Sequence, residues 1–222
     1  MNKYSADWFL YNLKNNDISR WALSRAGLYL LAIRKELNKP YKSDLPFKIN
    51  HWKDLEFFEA TESWHNKNKF LSNAQEKLDN GAICLTLVQN QQLAFIEWSG
   101  TQSKKSTFGG VDQTVFYPSD TSTLFSAYVH PNHRGKRLFI EGMNFFTNYV
   151  FSDTDSKIII AAVESNNSPA MKSHLASGFE VIARFDTTRY LGKKKFYMME
   201  LSSRYKLRSS DSQAAWRLEI IE

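Results

Sequence analysis

The chain has 222 residues, of which 42% are hydrophobic and 14% aromatic, and its formal net charge at pH 7 is +6. This composition suits one folded domain with additions and excludes a chain that is disordered throughout. The basic surplus favours anionic ligands, but the sequence has no zinc-finger spacing, RNA-recognition signature or long basic run, so we expect no nucleic-acid partner.

Cys84 is the only cysteine, so no disulfide forms within one chain, which suits a reducing compartment. The first residues lack the basic start, apolar stretch and cleavage site of a secretory signal. No uncharged apolar run approaches the ~20 residues of a membrane-spanning helix. We therefore expect a soluble, cytoplasmic protein, and no metal, because HExxH and CxxC spacings are also missing.

The first predicted element is a helix over Asp17 to Leu37, with one apolar side and with arginines outside it. We interpret residues 1–45 as an N-terminal helical extension that packs on the domain or on another subunit. A basic amphipathic helix on a membrane surface is the alternative. Pro40 and Pro46 then mark the exit from this segment.

Residues 46–202 form the predicted main domain, and the tail 203–222 is left unassigned. Up to residue 99 the pattern predicts a strand, two helices and two strands, in that order. Their predicted ranges are 47–50, 53–60, 66–78, 83–88 and 93–99. Residues 100–118 read as a polar insertion near a substrate pocket, with a short strand around Thr114 to Tyr117. A hairpin of 179–185 with 195–201 closes the domain.

The most informative segment joins a strand, Leu124 to Val129, to a helix that begins near Leu138 and continues to Phe151. Pro131 ends the strand, and the turn presents the first N–H groups of the helix, which lack internal partners and lie at the positive end of its dipole. Such a turn suits a diphosphate. Three basic side chains add to its charge: Arg134, Lys136 and Arg137.

A second segment follows at a regular spacing. The strand Lys157 to Val163 leads into a helix that Ser168 can cap, Pro169 can begin and Gly178 can end.

The first segment resembles the signature of the GNAT superfamily of acyl-CoA-dependent N-acyltransferases, V-x-P-x-x-R-G-x-G-x-G/A. It matches at Val129, Pro131, Arg134 and Gly135. The two later glycines are replaced by Arg137 and Phe139, and a side chain at either place narrows the phosphate site unless it contributes to it.

The second segment resembles the family pattern N-x-x-A-x-x-x-Y-x-x-x-G-F. Asn167, Ala170, Gly178 and Phe179 match, and His174 stands in the tyrosine's place. Two motifs in the family's order on the expected elements identify the chain as similar to this superfamily.

The resemblance implies an α+β (α/β) GNAT fold: a mixed central sheet of about seven strands, flanked by helices, whose fourth and fifth strands splay apart. The pantetheine of acyl-CoA enters between those strands and bonds to the strand edge, while the diphosphate lies on the turn. The implied cofactor-binding residues are Ala127, Tyr128, Val129, Arg134, Gly135, Lys136, Arg137, Leu138, Asn167 and Ala170.

The family's chemistry is direct transfer, in which an amine attacks the thioester and a thiolate leaves. His174 would replace the tyrosine that protonates the thiolate, or it is a helix histidine that merely lines CoA or faces solvent. Glu164 is our candidate base, with Glu97 and a water held by Ser126 or His130 as alternatives. Five aromatic side chains are candidates for lining the acceptor pocket: Trp52, Trp64, His65, Phe116 and Tyr117.

The predicted function is an acyl-CoA-dependent N-acyltransferase, most simply an acetyltransferase, that uses acetyl-CoA or another acyl-CoA as co-substrate. The expected acceptor is a primary amine of a small, anionic molecule such as a nucleotide-linked amino sugar. Protein amines form an alternative acceptor class. A module that binds acyl-CoA or a nucleotide without turnover is the alternative function, and a homo-oligomer is left open.

Overall fold

The structure is a computed structural model of the protein, and it describes residues 23–63, 65–190, 193–210 and 214–221. From residue 47 to residue 201 it contains the predicted strands and helices in the predicted order. The main sheet contains β1 (Leu23–Arg34), β2 (Lys48–Ile49), β3 (Ile83–Gln89), β4 (Gln92–Gly100), β7 (Thr121–Val129), β8 (Ile158–Glu164), β9 (Glu180–Tyr190) and β10 (Lys193–Glu200). A second sheet contains β5 (Lys105–Phe108), β6 (Gln113–Phe116), β11 (Tyr205–Ser209) and β12 (Ala215–Ile220). The α-helices are α1 (Trp52–Leu55), α2 (Lys67–Asp79), α3 (Leu138–Asp153) and α4 (Ser168–Ala176), and 3-10 turns cover Lys35–Leu37 and Pro131–His133.

The main sheet has the strand order β10-β9-β1-β8-β7-β4-β3-β2. Among the described residues of this sheet, only β7 and β8 pair in parallel, and α3 makes the crossover between them. A parallel pair requires such a crossover, whereas the antiparallel pair β3–β4 is joined by a tight turn.

The predicted N-terminal helix is wrong for the described part of its range. Residues Leu23–Arg34 form β1, which lies inside the main sheet between β8 and β9. Leu31 packs on one face of the sheet and Leu30 on the other, and neither side chain is exposed. A strand buried on both faces has a continuous apolar run that periodicity cannot separate from a helix. The helix-based membrane-surface alternative therefore fails here as well, and residues 17–22 lie outside the described residues.

The second sheet joins the predicted polar insertion to the C-terminal tail. It has the order β11-β12-β6-β5, and β12 pairs in parallel with β6. Val115, Leu207 and Leu218 are buried in one cluster with Ile158 and Phe185 of the main sheet. The insertion is thus part of a second layer, which the sequence did not predict.

The helices and the second sheet cover different faces of the main sheet. We call the face under α3 and α4 the helix side; its core includes Phe95, Phe146 and Val163. The other face, the opposite side, is covered in one half by the second sheet and in the other half by α1 and α2. The ends of β7 and β8 lie between these two halves.

Gly142 allows α3 to lie close to the sheet. A Cβ atom at this position would be 2.5 Å from Cζ of Phe95, whose side chain is fully buried. We predict that Gly142→Val lowers the free energy of unfolding by roughly 2–3 kcal/mol, the upper range for overpacking a core. Urea denaturation measures this. Gly110→Val is the matched control, because a Cβ there has no atom within 4 Å among the described residues. Equal stability of the two variants would contradict the close approach.

Candidate functional site

The two parallel strands of the main sheet separate at one end. Their pairs run from Thr121–Ile158 to Leu124–Ala161, and the later residues of β7, Phe125 to Val129, have no register partner in β8. The strand edge of β7 is therefore open to a ligand that can pair with its backbone N–H and C=O groups. This is the splay that the sequence resemblance predicts.

A bulge lies in β7 at the point of separation. Ile96 pairs with Tyr128 and Trp98 with Phe125, so Ser126 and Ala127 together face the single residue Glu97. Ser126 has a φ of 53°, and both bulge residues are exposed. Bulges and left-handed non-glycine residues occur often beside functional sites, where they redirect backbone groups.

The turn between β7 and α3 has the conformation that a glycine-rich loop would have. Gly135 has a φ of 75° and Arg137, the N-cap of α3, a φ of 60°. Arg137 thus keeps a left-handed backbone where the family usually has glycine, at a cost of about 1 kcal/mol. Together with Arg134 and Lys136 it is exposed, so the turn combines three cations with the start of a 16-residue helix.

The side chain of Phe139 does not narrow the phosphate site, although it stands where the family has a glycine. Its ring lies 5.5 Å from the ring of His174 and 6.3 Å from that of Phe95, so the side chain points into the core of the helix side. Leu138 is also buried. The side chain of Arg134 turns back to β7, where its Nε donates to the carbonyl of Val129 at 3.1 Å.

His174 lies on α4 and packs between aromatic rings in the core of the helix side. The ring of Phe179 is 5.3 Å away, and Nδ1 donates to the carbonyl of Ala170 at 2.8 Å. Burial lowers the pKa of His174 from its ordinary value, although the bond to Ala170 partly opposes this. The ring is therefore neutral at pH 7, with the proton on Nδ1 and a lone pair on Nε2.

Asn167 has the local role that an asparagine before a helix often has. Its Oδ1 accepts from the N–H of Ala170 at 3.1 Å and caps α4. Asn167 and Ala170 remain predicted cofactor contacts.

Glu164 and Glu97 occupy different environments. Ala161 and Val163 pack on the helix side, so alternation along β8 directs the exposed side chain of Glu164 to the opposite side. Glu97 pairs with Leu85 and points to the helix side, where it is buried and Oε2 has no hydrogen-bond partner among the described residues. Burial raises the pKa of Glu97 to about 8.

Tyr128 links the bulge to polar groups on the opposite side, of which the sequence singled out His130 but neither Thr61 nor Glu59. Its hydroxyl lies 3.1 Å from Oγ1 of Thr61. Near it, His130 accepts the N–H of Asn132 at Nδ1, so Nε2 carries the proton and donates to Oε2 of Glu59 at 3.3 Å. Glu59 follows a four-residue helix with no motif, so no local signal could identify it.

The predicted pocket aromatics are dispersed. Trp52 packs with α1 and α2, and Tyr117 is buried under the second sheet. His65 is the one whose ring lies near Tyr128, at 5.9 Å. Phe116 is partly exposed beside Lys105, and Trp64 lies outside the described residues.

No family model matches this sequence, and no curated protein matches it. Similar solved structures include a GNAT acetyltransferase from Colwellia psychrerythraea, with a TM-score of 0.54 and 13% identity over 83% of this chain and 60% of that one. A GCN5-related N-acetyltransferase from Sphaerobacter thermophilus has a TM-score of 0.50 and 8% identity over 78% of this chain and 55% of that one. A conserved protein of unknown function from Staphylococcus epidermidis has a TM-score of 0.52 and 13% identity, covering 78% and 65%.

The chain spans about three fifths of the length of these structures. At such identities the likeness concerns the fold, and the GNAT fold predicted from the two sequence motifs is confirmed. The main sheet has eight strands where about seven were expected, because β1 belongs to it.

Within the described ranges, none of the helices is long and apolar enough to cross a membrane. The same part of the chain contains no group of three or more histidine, cysteine or acidic side chains placed to hold a metal ion.

The buried, neutral His174 predicts a pH dependence of stability. Because its folded pKa is lowered, the unfolded chain binds the proton more readily once the pH falls through about 6.5, so stability is lost toward acid pH. Between pH 7.5 and pH 5.5, the free energy of unfolding should fall by about 1 kcal/mol less for His174→Phe than for the wild type. A difference of one bound proton changes this free energy by at most ~1.4 kcal/mol per pH unit. Urea denaturation of both proteins at both pH values tests this. Other groups cancel in the difference, and parallel pH curves would contradict the assignment.

Proposed function

We propose that this protein is an acyl-CoA-dependent N-acyltransferase, most simply an acetyltransferase, that acts on a primary amine of a small molecule. The observation that carries the proposal is the separation of β7 from β8 directly before a basic turn with left-handed residues at Gly135 and Arg137. An extended pantetheine can pair with the edge of β7, and the diphosphate can bind the N–H groups at the start of α3. The GNAT fold supports this assignment.

The proposed donor site uses the exposed part of β7 and the turn. Ala127, Tyr128 and Val129 offer backbone groups to the pantetheine, and Arg134, Gly135, Lys136, Arg137 and Leu138 line the diphosphate. The positive end of the helix dipole stabilises an anion by fractions of a kcal/mol to about 2 kcal/mol, and charge-assisted hydrogen bonds from the cations add to this. Arg134 must release the carbonyl of Val129 if that carbonyl is to bond to the pantetheine.

The proposed reaction is direct transfer. The acceptor amine loses its proton, attacks the thioester carbon, and the C–S bond breaks as the thiolate leaves. We assign proton acceptance to Glu164, which is exposed on the opposite side at the end of β8. The acceptor can approach from the opposite side, because the ends of β7 and β8 lie between the half covered by the second sheet and the half covered by α1 and α2.

The proposed role of His174 as the acid toward the thiolate has less support from the geometry. In the neutral ring Nδ1 already donates to Ala170, so Nε2 can give a proton only after the ring becomes charged, which burial opposes. His174 packs against Phe139 and Phe179 on the helix side, and Glu164 is exposed on the opposite side at the end of β8, so the proposed acid and base belong to different faces of the sheet.

The charges do not favour the anionic acceptor expected from composition. The exposed cations Arg134, Lys136 and Arg137 belong to the turn proposed for CoA itself. On the acceptor side, burial is the largest cause that raises the pKa of Tyr128; Arg134 lowers this pKa and Glu59 and Glu62 raise it, so charges of both signs lie near the hydroxyl. A nucleotide-linked amino sugar thus has no specific support, and the acceptor class is a primary amine.

A module that binds acyl-CoA without turnover is the second candidate, and the neutral, embedded ring of His174 favours it. Calorimetry with CoA, acetyl-CoA and longer acyl-CoAs, followed by thiol release over a panel of amines, separates the two. Binding with no release for any amine would favour the module.

The turn conformation predicts the effect of a substitution on CoA affinity. We expect Gly135→Val to weaken CoA binding at least tenfold, because a β-branched residue with positive φ costs about 1–3 kcal/mol. Gly81→Val is the matched control: Gly81 also has a positive φ and open space around its Cβ position, but it lies after α2. Both variants should lose stability, and calorimetry should show lost affinity only for Gly135→Val. Equal affinities would remove the turn from the donor site.

The two proposed catalytic residues are tested with any amine that supports turnover of the wild type. Glu164→Gln should lower kcat about 10²-fold, the lower range for a general base, and leave the Kd for acetyl-CoA unchanged. His174→Phe should lower kcat more than it weakens CoA binding. Glu76→Gln, an exposed change on α2, is the control. Unchanged thiol-release kinetics in either variant would exclude that residue from the mechanism.

A further inference from the structure

Lys77 lies in the last turn of α2 with its ammonium group against two aromatic rings. Nζ is 4.6 Å from the ring centroid of Trp98 and 5.4 Å from that of Phe125. Trp98 is fully buried in the core under α1 and α2, and Lys77 is half-buried over it. Aromatic faces attract a cation, and the lysine stem covers apolar surface, so this contact holds Nζ at a defined position.

That position adjoins the proposed reaction centre. Phe125 is the first residue of β7 beyond the last pair with β8, and it directly precedes the bulge at Ser126 and Ala127. Trp98 pairs with Phe125 on the neighbouring strand. Lys77 therefore places a primary amine on the opposite side, from which an acceptor approaches, beside the place where the two strands separate.

The environment also favours the nucleophilic form of this amine. Burial lowers the pKa of Lys77 to about 8, and the thiol of Cys84 on β3 is a titratable neighbour that partly opposes this shift. Burial raises the pKa of that thiol, so Cys84 stays neutral. About a tenth of Lys77 is then unprotonated at pH 7, against well under a hundredth for an ordinary lysine.

We propose that Lys77 is an internal acceptor, acylated at Nζ by acyl-CoA bound between β7 and β8. This inference rests on the proposed function, because it requires a thioester at the separated strands. The lone pair of Nζ forms the amide bond to the thioester carbon, the C–S bond breaks, and CoA leaves as a thiolate. The proton released from Nζ passes to that thiolate or to water, so no further reactant is needed.

The experiment is incubation of the full chain with acetyl-CoA in the absence of any amine, followed by peptide mass mapping. Lys77 should be acetylated at least tenfold faster than Lys67, an exposed lysine at the start of the same helix. The rate at Lys77 should rise with pH, reach half of its maximum near pH 8, where half of the amine is unprotonated, and level off at higher pH. Acetylation of Lys77 no faster than that of Lys67 would overturn the proposal.

Two variants show whether bound acetyl-CoA is the donor. Lys77→Arg should keep the acetyl-CoA affinity of the wild type and lose the modified peptide. Gly135→Val should lose affinity and acetylation of Lys77 together. Fast acetylation of Lys77 in Gly135→Val would mean transfer directly from solution and would also overturn the proposal.

Calorimetry on the same samples separates this inference from the proposed function. If acetyl-CoA does not bind to the wild type, the proposed function fails and the internal acceptor fails with it. If acetyl-CoA binds and releases thiol to an external amine while Lys77 stays unmodified, only the internal acceptor fails.

Discussion

The separation of β7 from β8 is the constraint on which the rest of the site depends. A parallel pair that loses its ladder leaves backbone groups without partners, and each such group costs free energy unless water or a ligand satisfies it. The crossover from β7 to β8 must pass through α3, so the start of that helix necessarily lies at the open end of β7. Strand edge and helix start thus form one continuous surface, which is the surface that we propose for acyl-CoA.

The outer neighbours of the two strands keep them apart. β1 pairs with β8 from Arg34–Ile158 to Leu28–Glu164, and so supports β8 beyond the last pair with β7 at Ala161. β4 supports β7 in the same way, up to the pair Phe95–Val129. The segment that the sequence suggested was a helical extension therefore has a direct role: as a strand, it fixes one wall of the opening.

The turn and the helix ends could be predicted because they depend on local chemistry, whereas the long-range pairing of strands could not. Pro131, Gly135 and Asn167 act within a few residues of themselves, by ending a strand, allowing a positive φ or capping a helix. Residues Leu30 to Ile33 of β1 are buried and alternate between the two faces of the sheet, so their apolar run carries no period. The pairing of β12 with β6 joins residues about a hundred positions apart, and nothing in the tail specifies that partner.

Net charge alone does not identify the acceptor, because the charges are unevenly placed. The cations around Gly135 suit the donor diphosphate, while the opposite side presents Glu59, oriented by the Nε2–H of His130. Fields from exposed charges are screened over about 8–10 Å, so the groups beside the acceptor matter more than the total of +6. We therefore expect specificity for the amine to depend on the few side chains around Tyr128 and Phe125, which include Glu59, Thr61 and Lys77.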